Sequence, residues 1–134
     1  MILSPSIQAK YRQIFYSRHI IMFALKDIEF NGIPENEIIR IDFISNYPGV
    51  HLPQDIEEEF IDNNEARIIF KHGQFWNLKT NYFGFNVDVV IGGFSQTIEI
   101  TYASILQYEN TMQDLLIKFQ QIPKTLSENL RFNH

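Results

Sequence analysis

Residue types that perform chemistry occur in this chain, but not at spacings that would bring them together. His19, His51, His72 and His134 are scattered so that no two share the spacing of a metal pair on one helix or hairpin. Cysteine is absent, which removes thiolate nucleophiles, disulfides and zinc ribbons together. Gly92-Gly93 lies between two strand-like runs and opens no helix, so it is not a phosphate-cradling loop, and no G-x-S-x-G elbow occurs. Glu57 and Glu59 are paired carboxylates in a polar run, without the apolar pocket that would raise a pKa for general acid work. The expectation is a binding protein, not an enzyme, with no metal and no cofactor.

The most informative stretch runs from Asn64 to Glu109 and centres on Gln74-Phe75-Trp76-Asn77-Leu78-Lys79. Phe85, Val87, Val89 and Ile91 alternate with Asn86 and Asp88, and Ile98, Ile100 and Tyr102 alternate with Thr97, Glu99 and Thr101. A period of two places successive side chains on opposite faces of a strand, so each run has one wet and one buried face. His72-Gly73, Asn81 to Gly84, and Gly92-Gly93 put glycine between the runs, as short antiparallel connections require, and predict a meander. Alternation places Trp76 and Leu78 on one face and Phe75, Asn77 and Lys79 on the other. Phe75 either packs against a second layer or lines a shallow apolar groove of the kind that marks binding sites.

These strands need a layer to cover them. Ser4-Pro5 reads as an N-cap followed by proline at the first helical position. Ile7, Tyr11, Ile14, Phe15, Ile21, Met22, Leu25 and Ile28 then recur at helical spacing, which predicts one amphipathic helix over about 5–29 that ends before Gly32-Ile33-Pro34. Its apolar stripe is wide enough for a second copy to share with the sheet, giving a twofold dimer through Tyr11, Ile14, Phe15 and Met22; the alternative is that the sheet covers the whole stripe. Glu37 to Ser45 is the first strand, with Ile39, Ile41 and Phe43 on its apolar face. Asn46-Tyr47-Pro48-Gly49 forms a turn in which proline and glycine suit the central positions of type II. Val50-His51-Leu52 is a short edge segment ended by Pro53. Gln54 to Asn64 is an acidic connection with a helical turn through Ile56 and Phe60, and Ala66 to Lys71 returns to strand. Leu115 to Phe119 fits a helix or a strand equally, and from Pro123 the chain is polar and reads as a mobile tail.

Composition sets outer bounds. The 134 residues suit one domain, residues 1–119, followed by a flexible tail at 120–134. The formal charge of −5, without a lysine or arginine cluster, argues against a nucleic-acid partner. Asp55, Glu57, Glu58, Glu59, Asp62 and Glu65 form an acidic run that reads as a solvated face. No stretch reaches the roughly 18 to 20 apolar residues of a membrane span, so no membrane is expected and the protein reads as cytoplasmic. A small α+β domain that presents β surface is suited to an extended peptide, whose backbone can pair with strand edges.

Pro48-Gly49-Val50, Gln74-Phe75-Trp76-Asn77-Leu78-Lys79, Gly84-Phe85 and Ile100-Thr101-Tyr102-Ala103-Ser104-Ile105, in this order and spacing, resemble stringent starvation protein B (SspB), the bacterial adaptor family that hands tagged proteins to the ClpXP protease. The likeness covers about Tyr11 to Tyr108 and points to a diverged branch with a Q-F-W motif. It implies an N-terminal helix packed on a strongly bent Sm-like antiparallel β-sheet or partial barrel, assembled as a homodimer, and favours extended structure at Leu115 to Phe119. It also implies binding of the ssrA degradation tag, which the tmRNA rescue system adds to stalled chains. The implied groove involves Gln74, Phe75 and Trp76, the Pro48-Gly49-Val50 turn facing them, and the strand end at Tyr102, Ala103, Ser104 and Ile105. Gln74 would pair with the tag, Phe75 would give apolar contact, and Trp76 would prop the wall from inside. Leu130-Arg131-Phe132 is the implied docking motif for the N-terminal domain of the ClpX unfoldase. The alternatives are a dimerisation or peptide-binding module without unfoldase tethering, and a small β-barrel that binds RNA.

Overall fold

The computed structural model describes residues 4–53 and 64–126. The helical segment starts as its cap predicts: the Ile7 amide donates to Ser4 Oγ at 3.3 Å, with Pro5 as the first residue of α1 (Pro5–Tyr16). It is two helices, not one. α1 ends at Tyr16 and α2 runs His19–Asn31, closing where Gly32 takes a positive φ of 76° and donates to Ile28 O at 2.8 Å.

The break at Ser17-Arg18 has a physical cause in Arg18, whose side chain is fully buried. Its guanidinium donates to Ile14 O at 2.7 Å, to Ile105 O at 3.2 Å and to Gln120 O, and lies over the Phe119 ring. A continuous helix would keep Arg18 on the register of α1. The kink lets it turn inward, and burial lowers its pKa to about 10, with Tyr47 acting in the opposite sense. Below the break, Ile21, Leu25 and Ile28 bury one face of α2 against the sheets.

The strands are β1 (Ile38–Ile44), β2 (Glu65–Lys71), β3 (Phe75–Thr80), β4 (Gly84–Ile91), β5 (Phe94–Thr101), β6 (Ile105–Asn110) and β7 (Leu115–Lys118). They form two antiparallel sheets: four strands in the order β2-β1-β6-β7 and three in the order β3-β4-β5. The architecture is α+β, without a closed barrel among the described residues. The meander is therefore shorter than predicted. The turn at His72-Gly73, where the Gln74 amide donates to Lys71 O at 3.0 Å, carries the chain from one sheet to the other, and β2 and β3 do not pair. The return crossing is a buried 3-10 turn at Tyr102–Ser104, held by Tyr102 N to Phe83 O at 2.8 Å and Ser104 Oγ to Thr101 O at 2.7 Å.

The other turns follow their residue types. Tyr47-Pro48-Gly49-Val50 closes with Val50 N to Tyr47 O at 3.0 Å and Gly49 at φ 86°, as type II needs. Gly92 and Gly93, both at positive φ, make the two-residue β4–β5 hairpin. Leu115–Lys118 is a strand, paired through Ile117 with Tyr108. Residues 120–126 pack on the core and are not a tail. Ile122 and Leu126 are buried, Tyr47 Oη donates to Ile122 O at 3.0 Å, and Lys124 Nζ donates to Asn46 Oδ1 at 2.8 Å. The acidic residues Asp55, Glu57, Glu58, Glu59 and Asp62, the turn through Ile56 and Phe60, and Leu130-Arg131-Phe132 lie outside the described residues.

Candidate functional site: a cleft between two strand edges

The inner faces of the two sheets meet in the core, but β2 and the far end of β4 stay apart. β2 is the outer strand of its sheet and, among the described residues, pairs only with β1. β3 begins at Phe75, opposite Val89, so among the described residues Val90 and Ile91 have no strand partner on that edge. Between them lies an apolar cleft of about 220 Å³. Phe43, Leu52, Ala66, Ile68, Ile91 and Ile98 line its depth, and Ile69, Val89 and Val90 its mouth. The polar groups at its rim are Arg67 and Gln74. Arg67 is bound by Asp42 at 2.6 and 3.2 Å, and this hydrogen-bonded ion pair raises the Arg67 pKa while cancelling its charge. Gln74 is exposed and keeps an uncharged donor and acceptor at the entrance.

The sequence-predicted site residues separate into groups. Gln74 lines the cleft, while Phe75 is half-buried, its ring edge-on to Phe70 at 5.0 Å, and packs against the other sheet. Trp76 is 38% exposed and sits on the outer face, contrary to the expectation that it supports the wall from inside. The reason is a bulge. Trp76 pairs with Asp88 and Lys79 with Asn86, so three steps on β3 match two on β4, and Asn77 absorbs the extra residue at φ 54°. Alternation resets there, and Leu78 is buried while Trp76 is not.

Pro48-Gly49-Val50 does not face Gln74. Its turn lies against Thr101 at the opposite end of the β4–β5 ladder, where Thr101 Oγ1 reaches Pro48 O at 3.5 Å. Gly49 and Thr101 border a second, more polar hollow of about 200 Å³. The two hollows are joined by the chain from Val50 to Leu52, which runs beside β5 through the His51–Glu99 bridge. Tyr102, Ala103, Ser104 and Ile105 are all buried in the sheet-to-sheet crossing and line neither hollow. In the dimer set, Phe15 is buried and Tyr11, Ile14 and Met22 pack partly on the core; the exposed apolar side chains of α2 are Ile20, Phe23 and Phe30.

Comparison with protein-family models finds no match, and no curated protein matches the chain. Among the described residues no His, Asp and Glu side chains converge as metal ligands, and no helix is long and apolar enough to cross a membrane.

Sequence reasoning missed the cleft's lining outside Gln74. The signal was a surplus of apolar residues over strict alternation: Ile68-Ile69 in β2 and Val89-Val90-Ile91 in β4 put apolar side chains on both faces where one face suffices.

Burial raises the Tyr102 pKa well above the usual phenol range, and its hydroxyl has no hydrogen-bond partner among the described residues. An unpaired buried hydroxyl costs about 1–3 kcal/mol. Tyr102→Phe is therefore expected to raise stability by about 1 kcal/mol in urea denaturation, with the cleft unchanged. A loss of stability would show that the hydroxyl has a partner.

Proposed function

We propose that the cleft binds an extended polypeptide, and that the protein is an SspB-like adaptor that holds ssrA-tagged chains and delivers them to ClpXP. The observation that carries this reading is an apolar cleft flanked by two strand edges that have no strand partner among the described residues. An extended chain lying there can add backbone hydrogen bonds to β2 while alternate side chains enter the cleft. Gln74 supports the reading from the sequence side, because it belongs to the Q-F-W stretch and stands at the rim. The two sheets joined by short crossings are compatible with a strongly bent Sm-like sheet.

Delivery requires no catalysis by the adaptor. A second, weak contact to the unfoldase makes transfer effectively intramolecular and raises the local concentration of substrate. Leu130-Arg131-Phe132 is the segment proposed for that contact, in a cytoplasmic setting. The homodimer remains part of the proposal, with its interface moved to the outer face of α2, where Ile20, Phe23 and Phe30 offer exposed apolar surface.

The test is hydrogen exchange with and without a tag peptide, together with the Gln74→Ala variant. Binding in the cleft is expected to slow exchange of β2 amides. Gln74→Ala is expected to weaken affinity by about tenfold, the equivalent of one charge-free hydrogen-bonding group at roughly 1.4 kcal/mol, without altering the fold. Protection confined to other strands, or unchanged affinity of the variant, would remove the cleft from the account.

A further inference from the structure

The bulge that turns Trp76 outward also builds a polar row across the outer face of the three-stranded sheet. Trp76, Asp88 and Thr97 are register partners on β3, β4 and β5. Asp88 Oδ2 accepts from Asn77 Nδ2 at 2.8 Å, and Asp88 Oδ1 accepts from Thr97 Oγ1 at 2.6 Å. These two bonds hold the carboxylate ionised, below the usual aspartate range. They also fix its orientation, yet use about two of its roughly four lone-pair sites. Directly opposite register partners have Cβ atoms about 4.5–5.5 Å apart, so the indole and the carboxylate are neighbours on one face.

Among the described residues Asp88 forms no ion pair, and no cationic group or aromatic ring lies against Trp76. Lys79, also on β3, forms no ion pair with Asp88. A backbone residue in left-handed conformation at Asn77 turns the chain's sole tryptophan toward solvent beside an oriented anion.

We infer that Trp76 and Asp88 form a subsite for an arginine side chain of a polypeptide partner. The planar guanidinium stacks on the indole and donates two parallel hydrogen bonds to the oxygen lone pairs that Asn77 and Thr97 leave open. An ammonium can satisfy either demand but not both with the same geometry. The subsite lies outside the apolar cleft and does not depend on its being occupied, so it adds a basic-residue preference to the peptide reading and can stand or fall alone.

The sole tryptophan reports on its own site. Trp76 emission is followed while the full chain, in about 0.1 M salt, is titrated with the blocked tripeptide acetyl-Gly-Arg-Gly-amide, its lysine counterpart, and its uncharged citrulline counterpart. A saturable change is expected with arginine, at least about threefold weaker binding with lysine, and none with citrulline. Asp88→Asn is expected to weaken the arginine peptide by about fivefold, whereas Glu99→Gln, which removes one charge elsewhere on the same sheet, changes it less than twofold. Equal losses in the two variants would mean attraction to net negative charge only, and an unsaturable change with arginine would mean no site. Either result overturns the inference.

Discussion

Arg18→Ala is expected to lower the stability of the fold by about 3–5 kcal/mol, one of the two largest effects of any single substitution considered. The side chain is fully buried, and its three hydrogen bonds end on carbonyls from three separate parts of the chain: Ile14 in α1, Ile105 at the start of β6, and Gln120 beyond β7. Truncation removes the side-chain donor to Ile105 O and Gln120 O, leaves Ile14 O with the Ser17 hydroxyl as its remaining side-chain donor, and opens a cavity under Phe119; each unsatisfied buried group costs about 1–3 kcal/mol. The charge itself is not the stabilising element, since burial opposes it and no carboxylate among the described residues pairs with it. Arg18→Lys is accordingly expected to recover only part of the loss, because one ammonium cannot span three acceptors held at fixed, separate positions. Urea denaturation followed by far-ultraviolet circular dichroism checks both variants. A loss under 1 kcal/mol for Arg18→Ala would show that the helix break and the 119–126 segment are held by other contacts.

Gly84→Ala is expected to cost about 3 kcal/mol through close approach alone. A Cβ there would overlap the Ile100 carbonyl oxygen and lie 2.9 Å from Thr101 Cα, both backbone atoms with no flexible end to move aside. The pairing Gly84–Thr101 and the bond from Tyr102 N to Phe83 O sit at this point, so the shift would open the crossing between the sheets. Overpacking of this kind costs about 1–3 kcal/mol and more where neither side yields. Gly73→Ala provides the contrast, because its Cβ would meet open space and only the positive φ of 77° is at issue; it should cost about 1–2 kcal/mol. Equal losses at the two positions in thermal or urea denaturation would contradict the steric account of Gly84.

What was legible in the sequence, and what was not, follows from the range over which each signal acts. Ser4-Pro5, Pro48-Gly49 and Gly92-Gly93 work within a few residues, and all three formed the cap or turn their chemistry predicts. The alternation of β4 and β5 was equally local. The burial of Arg18 had no local signal, because an arginine in an amphipathic pattern normally faces water and its burial depends on carbonyls 87 and 102 positions away. The outward turn of Trp76 hinged on one extra residue at Asn77, which shifts every side chain after it; an asparagine inside a strand-like run was the available clue. Ile122 and Leu126 sat among polar residues, yet each found a place in the core that only the folded sheets create.

The candidate site was legible in a similarly divided way. Gln74 stands at the rim of the cleft, whose opposite wall is β2, whereas the Pro48-Gly49-Val50 turn expected to face it borders the other hollow. Tyr102 to Ile105, expected at a groove, serve as the buried link between sheets. A cleft assembled from β1, β2, β4, β5 and two connecting segments has no local sequence signature, because its existence depends on where the strand pairing stops.

The most direct measurement is fluorescence anisotropy of a labelled ssrA-tag peptide titrated with the full chain, beside a scrambled peptide of equal charge. The account predicts saturable binding of the tag, displacement by unlabelled tag, and no saturation with the scrambled sequence. Absence of binding to either peptide would contradict the adaptor reading, and equal binding to both would reduce the cleft to a non-selective apolar surface.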